Sequence, residues 1–296
     1  MKATKHVAAM LLLAGMSAAG CSKANEPSPA KRDSDAAQLR PVKTSGESLL
    51  RRPHVGEGLN AGSPVKPVVP ATFAEGKSAY EARKYTEAIA AFENYTVRRP
   101  ENAWGHYMLG LSAWKGGDLE KAESSLEKAL SVDPSHVKSL VNLGRVFIGQ
   151  KRHDEALEAL TRAATIEPDS TEVHRLLGRT YHAAGKTEEA IDAYSRAIEL
   201  NERDAWSMNN LGLLFLEQKR VDEALPLFTK AVELKKDTPA FHNNLGMALE
   251  HTGRFGDAAA AYTAALTADP SYEKAKKNLG RVEIVTPIHE DKSAGK

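Results

Sequence analysis

Asparagine side chains recur from residue 142 onward at intervals of 34 residues or twice that. They occupy two adjacent places in that interval: Asn142, Asn209, Asn210, Asn243, Asn244 and Asn278. A carboxamide both donates and accepts hydrogen bonds, so a row of them can pair with the main chain of an extended peptide. The spacing therefore predicts a peptide-binding surface. Alternatively, asparagine is an ordinary structural residue of the repeat, and Met108 and Leu176 interrupt the row.

Three arginines, Arg145, Arg175 and Arg179, fall in two consecutive 34-residue intervals. Arg145 and Arg179 hold the same place in them, and Arg175 is four residues before Arg179. Like charges four residues apart on a helix cost a few tenths of a kcal/mol unless another group offsets them. Glu172, three residues before Arg175, could offset them within the chain. Otherwise an acidic peptide or a terminal carboxylate would bind there, and both interpretations stay open.

Aromatic residues are concentrated in one early segment that contains Trp104, Tyr107 and Trp114. Large aromatic side chains commonly anchor an apolar side chain of a binding partner. They could equally cover the apolar face of the segment before them. The sequence leaves these two roles open.

No group of residues has the spacing of a catalytic or metal site. His106, His174 and His242 recur 68 residues apart, so they lie in alternate repeats and cannot share a metal ion. Gly185 begins a Gly-Lys-Thr triplet, but Thr180 stands where a phosphate-binding loop requires glycine. We therefore expect no enzymatic activity, no cofactor and no metal.

The composition narrows the class of partner. The chain has 296 residues, of which 42% are hydrophobic and 27% charged, so it can bury an extensive core. A formal net charge of +1 and 6% aromatic residues give no general attraction for nucleic acid and no base-stacking surface. A single cysteine excludes an internal disulfide and any site with several cysteine ligands.

A single 34-residue sequence pattern is predicted to position these residues. Leu-Gly pairs occur at 109–110 and then every 34 residues up to 279–280, and Gly76 falls in the same register. Within each interval, apolar residues follow the i, i+3, i+4 spacing of a helical stripe twice over, with glycine between the stripes at Gly117, Gly185 and Gly253. Each unit is thus predicted to be two helices. A lone helix pair cannot cover its apolar face, so the units stack as a solenoid.

These features resemble the tetratricopeptide repeat (TPR). The resemblance implies an all-α solenoid, a right-handed superhelix of helix-turn-helix repeats, whose first helices line a concave groove. Six repeats are predicted over 69–272, with frames at 69–102, 103–136, 137–170, 171–204, 205–238 and 239–272. The first is degenerate because Glu75 replaces leucine. A capping helix follows over 273–285, with Lys276, Lys277 and Arg281 on its polar outer face, and 286–296 is predicted to be a disordered tail.

The N-terminus has the form of an export signal. Lys2 and Lys5 precede an apolar run over 7–16, followed by small residues and Cys21. The segment that ends at Cys21 resembles the lipobox of bacterial lipoproteins, which implies a signal peptide over 1–20 and a lipid anchor on Cys21. Ser22 implies, by the same resemblance, transport to the outer membrane and a periplasm-facing protein. The proline-rich stretch 21–68 is predicted to be a disordered tether.

Together these features predict a lipid-anchored, non-enzymatic scaffold that holds an extended segment of another envelope protein in its groove. The expected partners are proteins, with neither nucleic acid nor a small-molecule substrate. The combination of signal, lipobox and six repeats also looks like the pilotin lipoproteins of type IV pilus assembly, which help secretin subunits reach the outer membrane. An adaptor that recruits peptidoglycan enzymes is a further alternative.

Overall fold

Helical pairs follow one another along the chain in the computed structural model, which describes residues 72–293. The predicted signal peptide, Cys21 and the tether over 21–68 lie outside the described residues. The described residues form thirteen helices and no strand: α1 Phe73–Glu81, α2 Tyr85–Arg98, α3 Ala103–Gly116, α4 Leu119–Val132, α5 Val137–Gly149, α6 His153–Ile166, α7 Thr171–Ala183, α8 Thr187–Leu200, α9 Ala205–Glu217, α10 Val221–Leu234, α11 Pro239–His251, α12 Phe255–Ala268 and α13 Glu273–Ser293. The prediction of an all-α fold of paired helices is confirmed.

The turn inside each helix pair places one residue at positive φ, and these residues recur every 34 positions. Glycine holds the place in three repeats: Gly117 at 89°, Gly185 at 74° and Gly253 at 75°. Basic residues hold it in the others: Arg83 at 59°, Lys151 at 62° and Lys219 at 62°. Glycine adopts this conformation without steric cost, whereas other residues pay roughly 1 kcal/mol. The sharp reversal that pairs the two helices is therefore present even where glycine is not.

The two helices of a repeat meet where a glycine of the first faces a large side chain of the second. A Cβ atom on Gly178 would lie 2.7 Å from the Tyr194 ring, and one on Gly110 would lie 2.7 Å from Leu126. Tyr194 and Leu126 are buried to within 1% of full burial. Only glycine leaves room for these side chains, so the Leu-Gly pairs read in the sequence mark the closest approach of each helix pair.

Between repeats, each second helix packs on the first helix that follows it. Each first helix of a repeat contacts the first helix of the next, from α1 and α3 through to α11 and α13. Within the described residues, the backbones of second helices do not approach one another, although Lys121 of α4 and Glu93 of α2 form a side-chain ion pair. Because the side of a curved stack with the closer neighbours is the inner side, the first helices form the concave face. We call this surface the inner face, and it is where the resemblance places the groove.

The last helix is longer than predicted. The capping helix was expected over 273–285, but α13 runs from Glu273 to Ser293 and passes through Pro287. A proline removes one backbone hydrogen bond and strains the preceding turn without removing the remaining bonds on either side. Ala275 and Val282 are buried at the start of this helix, where it packs on α12 and α11.

Candidate peptide-binding groove

The five asparagines of the last three first helices form one continuous chain of side-chain hydrogen bonds. Asn278 Nδ2 donates to Asn243 Oδ1 at 2.9 Å, and Asn243 Nδ2 donates to Asn244 Oδ1 at 3.3 Å. Asn244 Nδ2 then donates to Asn209 Oδ1 at 2.8 Å, and Asn209 Nδ2 donates to Asn210 Oδ1 at 3.3 Å. We call these residues the amide chain. It joins α13, α11 and α9 across the inner face.

The amide chain ends against the buried packing layer. Asn210 lies beside Tyr194, and burial raises the pKa of Tyr194 well above its ordinary value. Asn209 and Asn243 are only 5% and 2% exposed, whereas Asn244 and Asn278 are half-buried. The row that the sequence predicts as a peptide ladder therefore bonds chiefly to itself. Its half-buried members keep N–H groups that the amide chain does not use.

Asn142 does not join this chain. Its Nδ2 donates to the Lys138 carbonyl of its own helix at 2.8 Å, and its Oδ1 accepts from Arg145 at 3.1 Å. It is also 4% exposed. The interruption at Leu176 thus separates Asn142 from the other asparagines, and Asn142 has no amide group turned toward solvent.

A groove of about 520 Å³ lies beside the amide chain on the inner face. Asparagines of the chain form its floor, and Leu213, Met247 and Tyr272 supply apolar surface. Lys274 and Lys277 stand at its C-terminal edge. Amide N–H groups, apolar side chains and ammonium groups thus converge on one concave site.

The three predicted arginines have different surroundings. Arg145 pairs with Glu172, and Arg175 Nη1 lies 2.9 Å from the carboxylate of Asp204. Asp204 is 5% exposed and also accepts a hydrogen bond from Ser207 Oγ at 2.6 Å. The sequence suggested Glu172 as the partner of Arg175, but Glu172 instead reaches across to the preceding repeat.

Arg179 differs from the other two arginines. It is exposed and has no hydrogen bond or ion pair to any described residue. Of the predicted cluster, only this side chain keeps an uncommitted charge. Binding of an acidic peptide by all three arginines together would therefore require two existing ion pairs to break.

The predicted aromatic residues separate into two contacts. Trp104 stacks edge-on against Tyr107 at 5.5 Å and against His136 at 4.8 Å, and the Lys138 ammonium lies 5.0 Å from its ring. Tyr107 is buried, whereas Trp104 remains 47% exposed. Trp114 lies apart and stacks with cations, with Lys115 Nζ at 4.4 Å from its ring. Trp104 is therefore the member of the set that offers aromatic surface to a partner.

Sequence reasoning missed a second exposed tryptophan. Trp206 is 45% exposed and packs edge-on against Phe241 at 4.9 Å. It stands 102 residues after Trp104, which is three repeats of 34, so both occupy the second place of a repeat frame. Aligning the frames by this position would have found it.

The recurring histidines have a local structural role. Nε2 of His106, His174 and His242 bonds to the carbonyl oxygen six residues earlier, at 2.9, 2.8 and 2.7 Å. Each therefore ties the start of its first helix to the preceding loop. In the part of the chain that the structure describes, no cluster of acidic, histidine or cysteine side chains could hold a metal ion. The described helices also include none that is long and apolar enough to span a membrane.

Comparison with known proteins gives the family. The model of the family described as "Cilia and flagella-associated protein 70 C-terminal domain", a TPR family, matches residues 50–293. The chain belongs to this TPR family. No curated protein sequence matches the chain.

Solved TPR structures share the fold of this TPR chain. A structure of MamA is 26% identical, with a TM-score of 0.51, and the match covers 56% of this chain and 97% of MamA. YrrB, described as a TPR protein with an unusual peptide-binding site, is 21% identical with a TM-score of 0.51, covering 63% of this chain and 96% of YrrB. PilF of Pseudomonas aeruginosa is 17% identical with a TM-score of 0.62, covering 70% and 94%.

Proposed function

We propose that this protein is a non-enzymatic scaffold that holds an extended segment of a partner protein against its inner face. The observation that carries the proposal is the groove of about 520 Å³, in which amide, apolar and cationic groups meet on a concave surface. The solved TPR protein YrrB, described as having a peptide-binding site, provides a precedent within this fold.

The anchor and the location form the second half of the proposal. The lipobox-like segment before Cys21 supports a lipid anchor in the bacterial outer membrane, with the repeats facing the periplasm. More than one acyl chain is needed for stable membrane attachment, and a lipoprotein cysteine carries several. The partner is then another protein of the envelope. The structural similarity to PilF favours a pilotin-like assembly factor for secretins as the alternative.

Site-specific photocrosslinking in intact bacteria tests the groove. A photoreactive phenylalanine analogue replaces Met247, which lines the groove, and a matched variant carries it at Ile166, which is 43% exposed at the end of the second helix α6. We expect a discrete crosslinked partner from position 247 and none from position 166. Equal crosslinking from the two positions, or none from position 247, would reject the groove as the binding surface.

The anchor is tested separately. Mass spectrometry of the N-terminal peptide from the membrane fraction should find diacylglyceryl on Cys21, and Cys21→Ser should release the protein from the outer membrane. An unmodified Cys21 in membrane-bound protein would disprove the anchor and leave the groove experiment unaffected.

A further inference from the structure

On the inner face, four acidic groups have partners within the chain, whereas several of the basic groups have none among the described residues. Four acidic residues of the first helices each contact a basic side chain. Glu81, Glu172 and Glu250 form ion pairs with Lys77, Arg145 and Arg281, and Glu217 shares a hydrogen bond with His182. Each second helix also begins with acidic residues in its first turn, from Glu87 in α2 to Asp257 in α12, where they stabilise the helix terminus. Several of these acids also have ion-pair partners, as Glu87 has Lys84 and Asp257 has Arg254. Those four acidic groups of the first helices are therefore engaged within the chain and do not oppose an acidic ligand as free charges.

The cations of the inner face are not all neutralised. Lys115 and Lys138 lie over tryptophan rings. Arg179, Lys274 and Lys277 are exposed and have no ion pair or ring contact with any described residue. The chain as a whole carries a formal charge of only +1, so this surplus results from the arrangement of charges rather than from the composition.

Two of these cations stand at the groove. Lys274 and Lys277 are one turn apart on α13 and both line it. Asn244 and Asn278 lie beside them, and each has two N–H groups of which the amide chain uses one. Ammonium and amide N–H donors are the groups that bind a carboxylate. The sequence placed Lys277 on the polar outer face of a cap, whereas the structure places it at the groove.

We infer that the partner segment is acidic, and that Lys274 and Lys277 receive its aspartate or glutamate side chains while Leu213 and Met247 contact an adjacent apolar residue. The inference rests on the proposed function and adds the chemistry of the bound segment. It also moves the acid-binding site away from Arg145 and Arg175, whose charges are already paired within the chain.

Fluorescence anisotropy with synthetic peptides and the purified full chain tests this inference. The probe is a labelled peptide of alternating glutamate and leucine, with both ends blocked. A second peptide has glutamine in place of glutamate, and a third is the glutamine peptide with a free C-terminal carboxylate. We expect the glutamate peptide to bind most tightly and to lose affinity as salt is added, because salt screens exposed charges.

Matched charge reversals then locate the site. Lys274→Glu with Lys277→Glu should weaken binding of the glutamate peptide roughly tenfold or more. The control, Lys276→Glu with Lys128→Glu, changes the net charge equally, but neither residue lines the groove. It should change the affinity less than about twofold, since exposed charges away from a site contribute little.

Three outcomes would overturn the inference in different ways. Equal binding of the glutamate and glutamine peptides would overturn the acidic preference, and the proposed function would stand if Met247 still crosslinks a partner in cells. Tight binding of only the free-ended glutamine peptide would assign the site to a terminal carboxylate and overturn an internal acidic segment. Equal losses in the two charge-reversal variants would overturn the assignment to Lys274 and Lys277.

Discussion

At the scale of single residues, Arg175 and Arg179 show how neighbours on one helix acquire different roles. They lie one turn apart on α7, yet Arg175 neutralises the buried carboxylate of Asp204, whereas Arg179 extends into solvent without a partner. Removing one member of a largely buried ion pair leaves an uncompensated charge in the protein interior. Substitution of Arg175 should therefore lower stability, whereas substitution of Arg179 should leave it nearly unchanged.

Arg175→Ala should lower the free energy of unfolding of the neighbouring repeats by about 2 kcal/mol, because Asp204 loses its charged hydrogen-bond partner. Arg179→Ala should change it by less than about 0.5 kcal/mol, as exposed substitutions usually do. Urea unfolding followed by circular dichroism measures both. Equal effects of the two substitutions would contradict the assignment of Arg175 to stability.

Residue-level predictions succeeded where type and position fix the role. Glycine was readable at the Leu-Gly pairs inside the repeats, where a Cβ atom would clash with the facing side chain, and at three inter-helix turns, where glycine adopts positive φ without steric cost. The partners of polar side chains were not readable in the same way. Asn244 bonds to Asn209 and Arg175 to Asp204, and these contacts depend on how far each helix is rotated against the next. A sequence repeat does not specify that rotation.

At the scale of elements, one packing contact repeats along the stack and is missing once. Gly178 of α7 is pressed against Tyr194 of α8. Gly280 holds the same place in α13, but nothing lies within 4 Å of where its Cβ would be. Within the described residues, α13 has no second helix after it to supply the large side chain. The packing therefore requires glycine at position 178, whereas position 280 has room for a larger side chain.

Gly178→Ala should destabilise the protein by roughly 2 kcal/mol, because the added methyl group overpacks a closed contact. Gly280→Ala should be neutral or stabilise α13 by up to about 1 kcal/mol, since alanine is the better helix former and the site is open. Thermal unfolding of the two variants beside the unaltered protein compares them. A destabilised Gly280→Ala variant would show that the site is not open.

The sequence pattern predicts the paired helices but not the end of the last helix. The paired helices follow from apolar spacing and turn residues, which are local. The capping helix was predicted to end at residue 285, just before Pro287, because proline interrupts a helix. The helix continues to Ser293. A single breaker residue therefore placed the boundary too early.

At the scale of the whole repeat array, stability is passed from neighbour to neighbour, so an end repeat depends on its single neighbour. Arg281 of α13 forms two hydrogen bonds with Glu250 of α11, at 2.8 and 2.7 Å. These bonds hold the pKa of Glu250 below its ordinary value of 4.5 despite partial burial, and Tyr262 adds a further hydrogen bond. The pair attaches the last helix to the array.

Acid should therefore loosen α13 before the central repeats. A carboxyl group whose pKa is lowered on folding stabilises the folded state above its ordinary value of 4.5, and this stabilisation is lost as the pH falls through the lower folded value. Hydrogen exchange, corrected for intrinsic rates, should show protection in α13 falling roughly fivefold, equivalent to about 1 kcal/mol for a partly exposed pair. Glu250→Gln should remove most of this pH dependence. An unchanged pH profile in that variant would contradict the role of the pair.

First helices approach one another closely across repeats and second helices do not, so the two sides of the array respond differently to bending. Neighbouring first helices are joined by packing and by amide bonds such as Asn278 to Asn243. The backbones of neighbouring second helices stay apart within the described residues, where the Lys121–Glu93 ion pair joins α4 to α2 through side chains. Spreading the inner side therefore breaks hydrogen bonds, while drawing the outer side together breaks none. The inner face therefore opposes straightening of the array more than the outer side does. A ligand bound along the inner face would stiffen the side that already limits extension.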